Sequence, residues 1–171
     1  MSETLLQLKI KHDKGQYFTK NNQLKNKVYE FIKNNPQKIL EPSVGRGDLV
    51  SHIIKLNQNI IFDMFEIDKN IKLLDDINLD IHIINYVDFL NNNFINKYKT
   101  IIGNPPYIKN TTGNLYIKFI EKCYKYYLED KGELIFIIPS DFFKLTSSSK
   151  LINEMLKLGN FTDIYYPNNE N

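Results

Sequence analysis

Short, continuous apolar runs separated by longer amphipathic stretches restrict what this chain can fold into more than any other feature. The runs are "KIL" at 38–40, "IIFDMF" at 60–65, "IHIINY" at 81–86, "KTII" at 99–102, "ELIFIIP" at 133–139 and "FTDIYY" at 161–166. Several are apolar at consecutive rather than alternate positions, which reads as strands covered on both faces. Between them, Leu24, Val28, Phe31 and Ile32 share one helical face in a segment over 20–34, ended by Pro36. Leu115, Phe119, Cys123 and Tyr126 make a second stripe, closed by "EDKGE". Leu151, Ile152, Met155 and Leu156 make a third, with Gly159 as its C-terminal cap. Shorter helices are expected after Gly47 and after Asp68. Alternation of this kind predicts an α/β fold, an open and mostly parallel sheet with helices on both faces. In such sheets ligands bind outside the carboxyl ends of the strands, near the point where strand order reverses. The residues just after each strand are therefore where chemistry is sought.

At 171 residues the chain is expected to form one domain, 1–171, with a real core. A net charge of +2 permits a polyanionic partner without requiring one. Arg46 is the only arginine among the basic residues. Bidentate reading of guanine by arginine is thus nearly unavailable, and any nucleic-acid sequence must be read mostly by other means. The single cysteine, Cys123, excludes an intrachain disulfide and a cysteine-based zinc cluster. No apolar run approaches about 20 residues, so no membrane span is expected. The N-terminus lacks the apolar centre of a secretory signal, and a reducing, cytoplasmic setting is expected.

The strand ends carry suggestive residue types. "EPSVGRGD" follows the first strand, and Gly45 and Gly47 allow a tight turn in which backbone approaches a ligand. The same pair also serves a βα turn that holds nothing. "FEID" follows the second strand and places Glu66 about 20 residues beyond Gly47, the offset at which a carboxylate meets ribose hydroxyls in nucleotide-binding α/β folds. Its alternative is a solvated strand end, with Asp68 capping the next helix. "VDF" follows the third strand: Asp88 suits a bond from an exocyclic amine and Phe89 suits an aromatic base, or the pair is a helix cap and a core phenylalanine. "IIGNPPY" ends the fourth. Two prolines fix φ and hold Asn104 and Pro105 extended, which suits a strand stop and equally a site that must keep polar groups still.

"GQYFT" at 15–19, "EPSVGRGD", "FEID", "VDF" and "NPPY", in that order, resemble the S-adenosylmethionine-dependent N6-adenine DNA methyltransferases of restriction-modification type, in which cofactor motifs precede the target-recognition region. The resemblance runs from about Gly15 to Ile164. It implies a class I methyltransferase, Rossmann-like fold with DNA as partner. It places Tyr17 and Thr19 over the methionine end of S-adenosylmethionine, and Glu41 with the Gly45–Gly47 turn around its amino-acid part. Glu66 takes the ribose hydroxyls, Ile67 lies against the adenine ring, Asp88 accepts from the exocyclic amine, and Phe89 packs nearby. Asn104 and the carbonyl of Pro105 accept from the target amine, and Tyr107 stacks on the flipped base. No metal is implied. Phe142 and Phe143, in "KGELIFIIPSDFF", are expected in core or lid packing rather than on the base.

Two departures qualify the likeness. Lys20 stands where a proline often follows the threonine. The sequence also reaches Asn171 before the antiparallel strand, further base-stacking aromatic and DNA-recognition domain that the family carries. The expectation is therefore a catalytic domain with its C-terminal strands missing, with target recognition supplied by a separate region or subunit. RNA or protein-glutamine methylation, and a cofactor-binding remnant without transfer, remain alternatives.

Overall fold

In a computed structural model, residues 18–111 and 113–167 are described. Asn22–Glu30 forms α1, whose first turn is capped by Asn21: its Oδ1 accepts from Leu24 N at 3.0 Å. Then follow β1 (Lys38–Glu41), α2 (Asp48–Leu56), β2 (Ile61–Phe65), β3 (Ile83–Asn85) and β4 (Tyr98–Gly103). A small antiparallel hairpin, β5 (Lys109–Asn110) with β6 (Gly113–Asn114), leads into α3 (Leu115–Lys122). That helix widens into a π-helical turn over Cys123–Tyr127 and feeds β7 (Leu128–Phe136). A 3₁₀ turn (Ser140–Phe143) and α4 (Thr146–Met155) complete the elements.

The main sheet has the order β3-β2-β1-β4-β7 and every pairing in it is parallel. Consecutive apolar residues within a strand serve opposite faces, as the pleat requires. Ile39, Ile102 and Ile135 join Val28 of α1 and Val50 and Ile53 of α2 on one side. Leu40 and Ile101 join Phe119, Cys123 and Tyr127 on the other. Helices thus cover both faces, and α4 packs onto α3 through Leu151 against Ile117 and Ile120. Among the described residues no helix is long and apolar enough to cross a membrane.

Three expectations are corrected. No helix follows Asp68. The carboxylate instead accepts from Asn70 N at 3.0 Å, and Asn78 does the same for Asp80 N, so Asp- and Asn-rich sequence closes turns in place of a helix. Leu73, Leu74 and Ile77 still pack on the core beneath α2. The run at 161–166 is not a strand: it finds no ladder partner, and Ile164 and Tyr166 are exposed. β7 also begins earlier than expected, because Leu128 pairs with Tyr98 before a bulge around Lys131 (φ 57°) and regular pairing resumes at Glu133.

Candidate active site

The chain runs outward from β1 to β3 and returns to β4, so strand order reverses between β1 and β4. At the carboxyl ends of these strands lies a cavity of about 540 Å³. It is lined by the residues after β1 (Pro42 to Gly45), after β2 (Glu66 to Asp68), after β3 (Val87 to Leu90) and after β4 (Asn104, Pro106 and Ile108). Phe18 and Thr19 close it from the N-terminal side. Of the residues expected from sequence, Thr19, Glu41, Gly45, Glu66, Ile67, Asp88, Phe89 and Asn104 all line this space. Gly47, Pro105 and Tyr107 do not, and Tyr17 lies outside the described residues.

The carboxylates are held by backbone N–H groups of the strand-end turns. Glu41 is 2% exposed and accepts from Ser43 N at 3.0 Å. Burial, with the nearby Glu66 charge adding to it, pushes its carboxyl up to about 8 against the opposing bonds from Ser43. Glu66 is not a solvated strand end. It is 8% exposed, with one oxygen accepting from Gly45 N and the other from Asp68 N, both at 2.9 Å, so it ties the first βα turn to the second strand. Burial raises its pKa as well, and those N–H bonds restrain the rise. Asp88 accepts from Leu90 N at 2.9 Å and closes a turn; no helix follows it. Phe89 is core, its ring centroid 5.6 Å from Phe119 and 5.3 Å from Phe65. Lys122 secures this loop from α3 by donating to Leu90 O at 2.8 Å and lying over the Phe89 ring.

Gly45 and Gly47 adopt φ of 56° and 83°, the left-handed region that favours glycine. A Cβ on Gly47 would lie 2.2 Å from Ile77 Cδ1, so its part is to let α2 start close to the loop beneath it. On the β4 side, Asn104 Nδ2 donates to Thr19 Oγ1 at 3.0 Å, and Tyr107 Oη donates to Asn104 Oδ1 at 2.5 Å. The Tyr107 ring meets Tyr116 edge-on at 6.1 Å. Phe142 is core at 1% exposure, and neither it nor Phe143 lines the cavity.

Sequence reasoning left several lining residues unassigned. Phe18, within "GQYFT", lies over Gly45, and the Arg46 guanidinium sits 4.4 Å from its ring centroid while donating to Asp48 at 2.9 Å. Gly103, the last residue of β4 and directly before Asn104, leaves room for Glu41, whose Oε1 would be 3.3 Å from an added Cβ. The glycine itself was the available signal. In sum the lining carries Glu41, Asp48, Glu66, Asp68 and Asp88, with no Lys, Arg or His among its described residues. Such a space suits a ligand that is cationic in part, rich in hydroxyl and amine donors, and flat enough to lie against Ile67 and Leu90.

Several known proteins are similar to this chain. The modification methylase CviBIII of Paramecium bursaria Chlorella virus NC1A is 29% identical over 158 residues, covering 81% of this chain and 41% of that protein. The ribosomal RNA small subunit methyltransferase A of Mycoplasma genitalium is 36% identical over 115 residues, covering 63% of this chain and 42% of that one. The chain thus spans less than half the length of these relatives. Among solved structures, the plantazolicin methyltransferase BpumL, in complex with a monoazolic desmethylPZN analog and SAH, superposes with a TM-score of 0.51 over 80% of this chain and 54% of that one. At 16% identity that likeness speaks for the fold alone. The model of the Eco57I restriction-modification methylase matches residues 3–171, and the chain belongs to that family.

Proposed function

We propose that this chain is one catalytic domain that binds S-adenosylmethionine and transfers its methyl group to the N6 amine of an adenine extruded from DNA. The observation that carries the reading is the convergence of four strand ends on one carboxylate-lined cavity with Asn104 in its wall. When bound, S-adenosylmethionine supplies an electrophilic methyl group on a sulfonium. Its charge and donor set fit the residues present: Glu41 near the cationic amino-acid end, Glu66 for ribose hydroxyls, Asp88 for an exocyclic amine, and Ile67 and Phe89 beside the base. Gly45 lets backbone come close, and Gly47 sets the start of α2. Thr19, with Tyr17 before it, closes the methionine side.

An adenine N6 lone pair is delocalised into the ring and is a poor nucleophile. Asn104 Oδ1 and the Pro105 carbonyl, held by a stiff Pro-Pro pair, accept hydrogen bonds from the amine and stabilise the positive charge that builds as the nitrogen turns tetrahedral. Positioning the amine in line with the methyl group supplies the remainder. A base within a duplex cannot reach such a wall, so it is flipped out, and the Tyr107 ring offers a stacking face. Stacking of this kind contributes about 1–3 kcal/mol.

Sequence reading is assigned to a separate region or subunit, because Arg46 is already engaged by Asp48 and Phe18. A DNA substrate fits a cytoplasmic setting, or the interior of a host cell for a viral source. A second reading, RNA as substrate, draws on the likeness to the ribosomal RNA methyltransferase. Incubation of the full-length protein with labelled S-adenosylmethionine and DNA or RNA separates the two. Label in N6-methyladenine of DNA is expected; label in RNA alone overturns the DNA reading. Asn104→Ala is expected to abolish transfer with cofactor affinity, by calorimetry, within about twofold of wild type.

A further inference from the structure

The Asn104 amide is held at both ends by hydroxyl groups. Nδ2 lies 3.0 Å from Thr19 Oγ1, and Oδ1 lies 2.5 Å from Tyr107 Oη. The two lengths distinguish the ends of the amide. A 2.5 Å contact suits O–H···O and is too short for N–H···O, whereas 3.0 Å is the usual N–H···O distance. The amide oxygen therefore faces Tyr107 and the nitrogen faces Thr19. Without such neighbours a 180° turn about the last side-chain torsion exchanges oxygen and nitrogen at little cost.

That exchange is decisive for the chemistry. With Nδ2 toward the target, two N–H groups would oppose each other and no electron density would be drawn onto the amine. We propose that Thr19 and the Tyr107 hydroxyl are positioning residues that lock the Asn104 amide with its oxygen toward the target amine. This rests on the adenine-methylation reading above. The Tyr107 hydroxyl has one proton and a second acceptor, Ile137 O at 3.0 Å, just past the end of β7. Oδ1 carries two lone pairs, so it can accept from the target amine while it still accepts from the Tyr107 hydroxyl, and the lock holds during transfer. Thr19 also lines the cofactor cavity. The segment that covers the cofactor is thus the segment that aligns the amide, which couples cofactor enclosure to readiness for transfer.

Tyr107→Phe removes the hydroxyl and keeps the ring, Thr19→Val removes the hydroxyl at equal bulk, and Thr19→Ser restores one. In the full-length protein, kcat is expected to fall about tenfold or more in Tyr107→Phe and Thr19→Val, with KM for DNA nearly unchanged, and to recover in Thr19→Ser. Unchanged kcat in both hydroxyl deletions overturns the proposal, as does a Thr19→Val defect confined to cofactor affinity. The side-chain ¹⁵NH₂ signals of Asn104 in cofactor-free protein give a readout independent of turnover. Slow hydrogen exchange is expected in wild type, with faster exchange in both hydroxyl deletions and slow exchange in Thr19→Ser. Exchange unaffected by the deletions overturns the lock. Wild-type protein with a protected amide that methylates no adenine would instead overturn the functional reading.

Discussion

Glu41 is a carboxyl group placed where water hardly reaches, and that placement makes the fold sensitive to pH. Its pKa stands at about 8 because burial penalises the charge more than the Ser43 bonds relieve it. Between about 4.5 and 8 the folded chain holds a proton that the unfolded chain has released. Folding stability therefore falls as pH rises through that window, and the loss levels off above it. Glu66, also raised, acts in the same direction. His52 and His82, both lowered by burial, act in the opposite one, because protonating them in the fold costs stability at low pH. Comparing Glu41→Gln with wild type isolates the one group. Thermal unfolding of the cofactor-free proteins across pH 5 to 9 should give a shallower decline for the variant, and parallel curves would show that Glu41 does not hold the proton. The residue type and its position at the end of β1 were legible in the sequence. Its protonation was not, since burial is a property of everything packed around it.

The first βα turn shows how much one element depends on backbone freedom. Both glycines are left-handed, but their surroundings differ: a Cβ on Gly45 would meet only the Phe18 ring at 3.5 Å, whereas one on Gly47 would strike Ile77. Alanine at Gly45 should cost the left-handed strain of about 1–2 kcal/mol. Alanine at Gly47 should cost more, because Ile77 must move and α2 begins there. Urea unfolding of the two variants measures the difference, and equal losses would mean that Ile77 yields freely. At this scale the runs at 38–40, 60–65 and 99–102 were readable as strands because consecutive buried apolar residues admit few other solutions. The region after Asp68 was not readable, because local side-chain bonds to backbone compete with a helix there. The run at 161–166 has strand-like composition, yet a strand exists only where a neighbour accepts its ladder, and composition does not report neighbours.

At the scale of the whole molecule, the candidate active-site cavity and a second recess share no lining residue. The second, about 740 Å³, runs beside β7 between Phe31, Phe136, Phe142 and Met155 and the segment from Phe161 to Pro167. Phe143 borders it, 41% exposed, with its ring 5.1 Å from Phe161. A recess this apolar should bind anilinonaphthalene sulfonate. Phe143→Asp is expected to lower the dye fluorescence while leaving cofactor affinity unchanged; a matched loss of both would mean that the two spaces communicate. Neither recess could be drawn from the sequence, because each is bounded by residues far apart in the chain. What the sequence determined by itself was the alternation that demands a parallel sheet, and the residue types at successive strand ends, since both are written in local order. Tertiary structure alone decided that those ends meet in one cavity, that Glu66 serves Gly45 before any ligand, and that Thr19 reaches Asn104. Such contacts join positions 21 and 85 residues apart in the chain, and the sheet order that brings them together is a global property of packing.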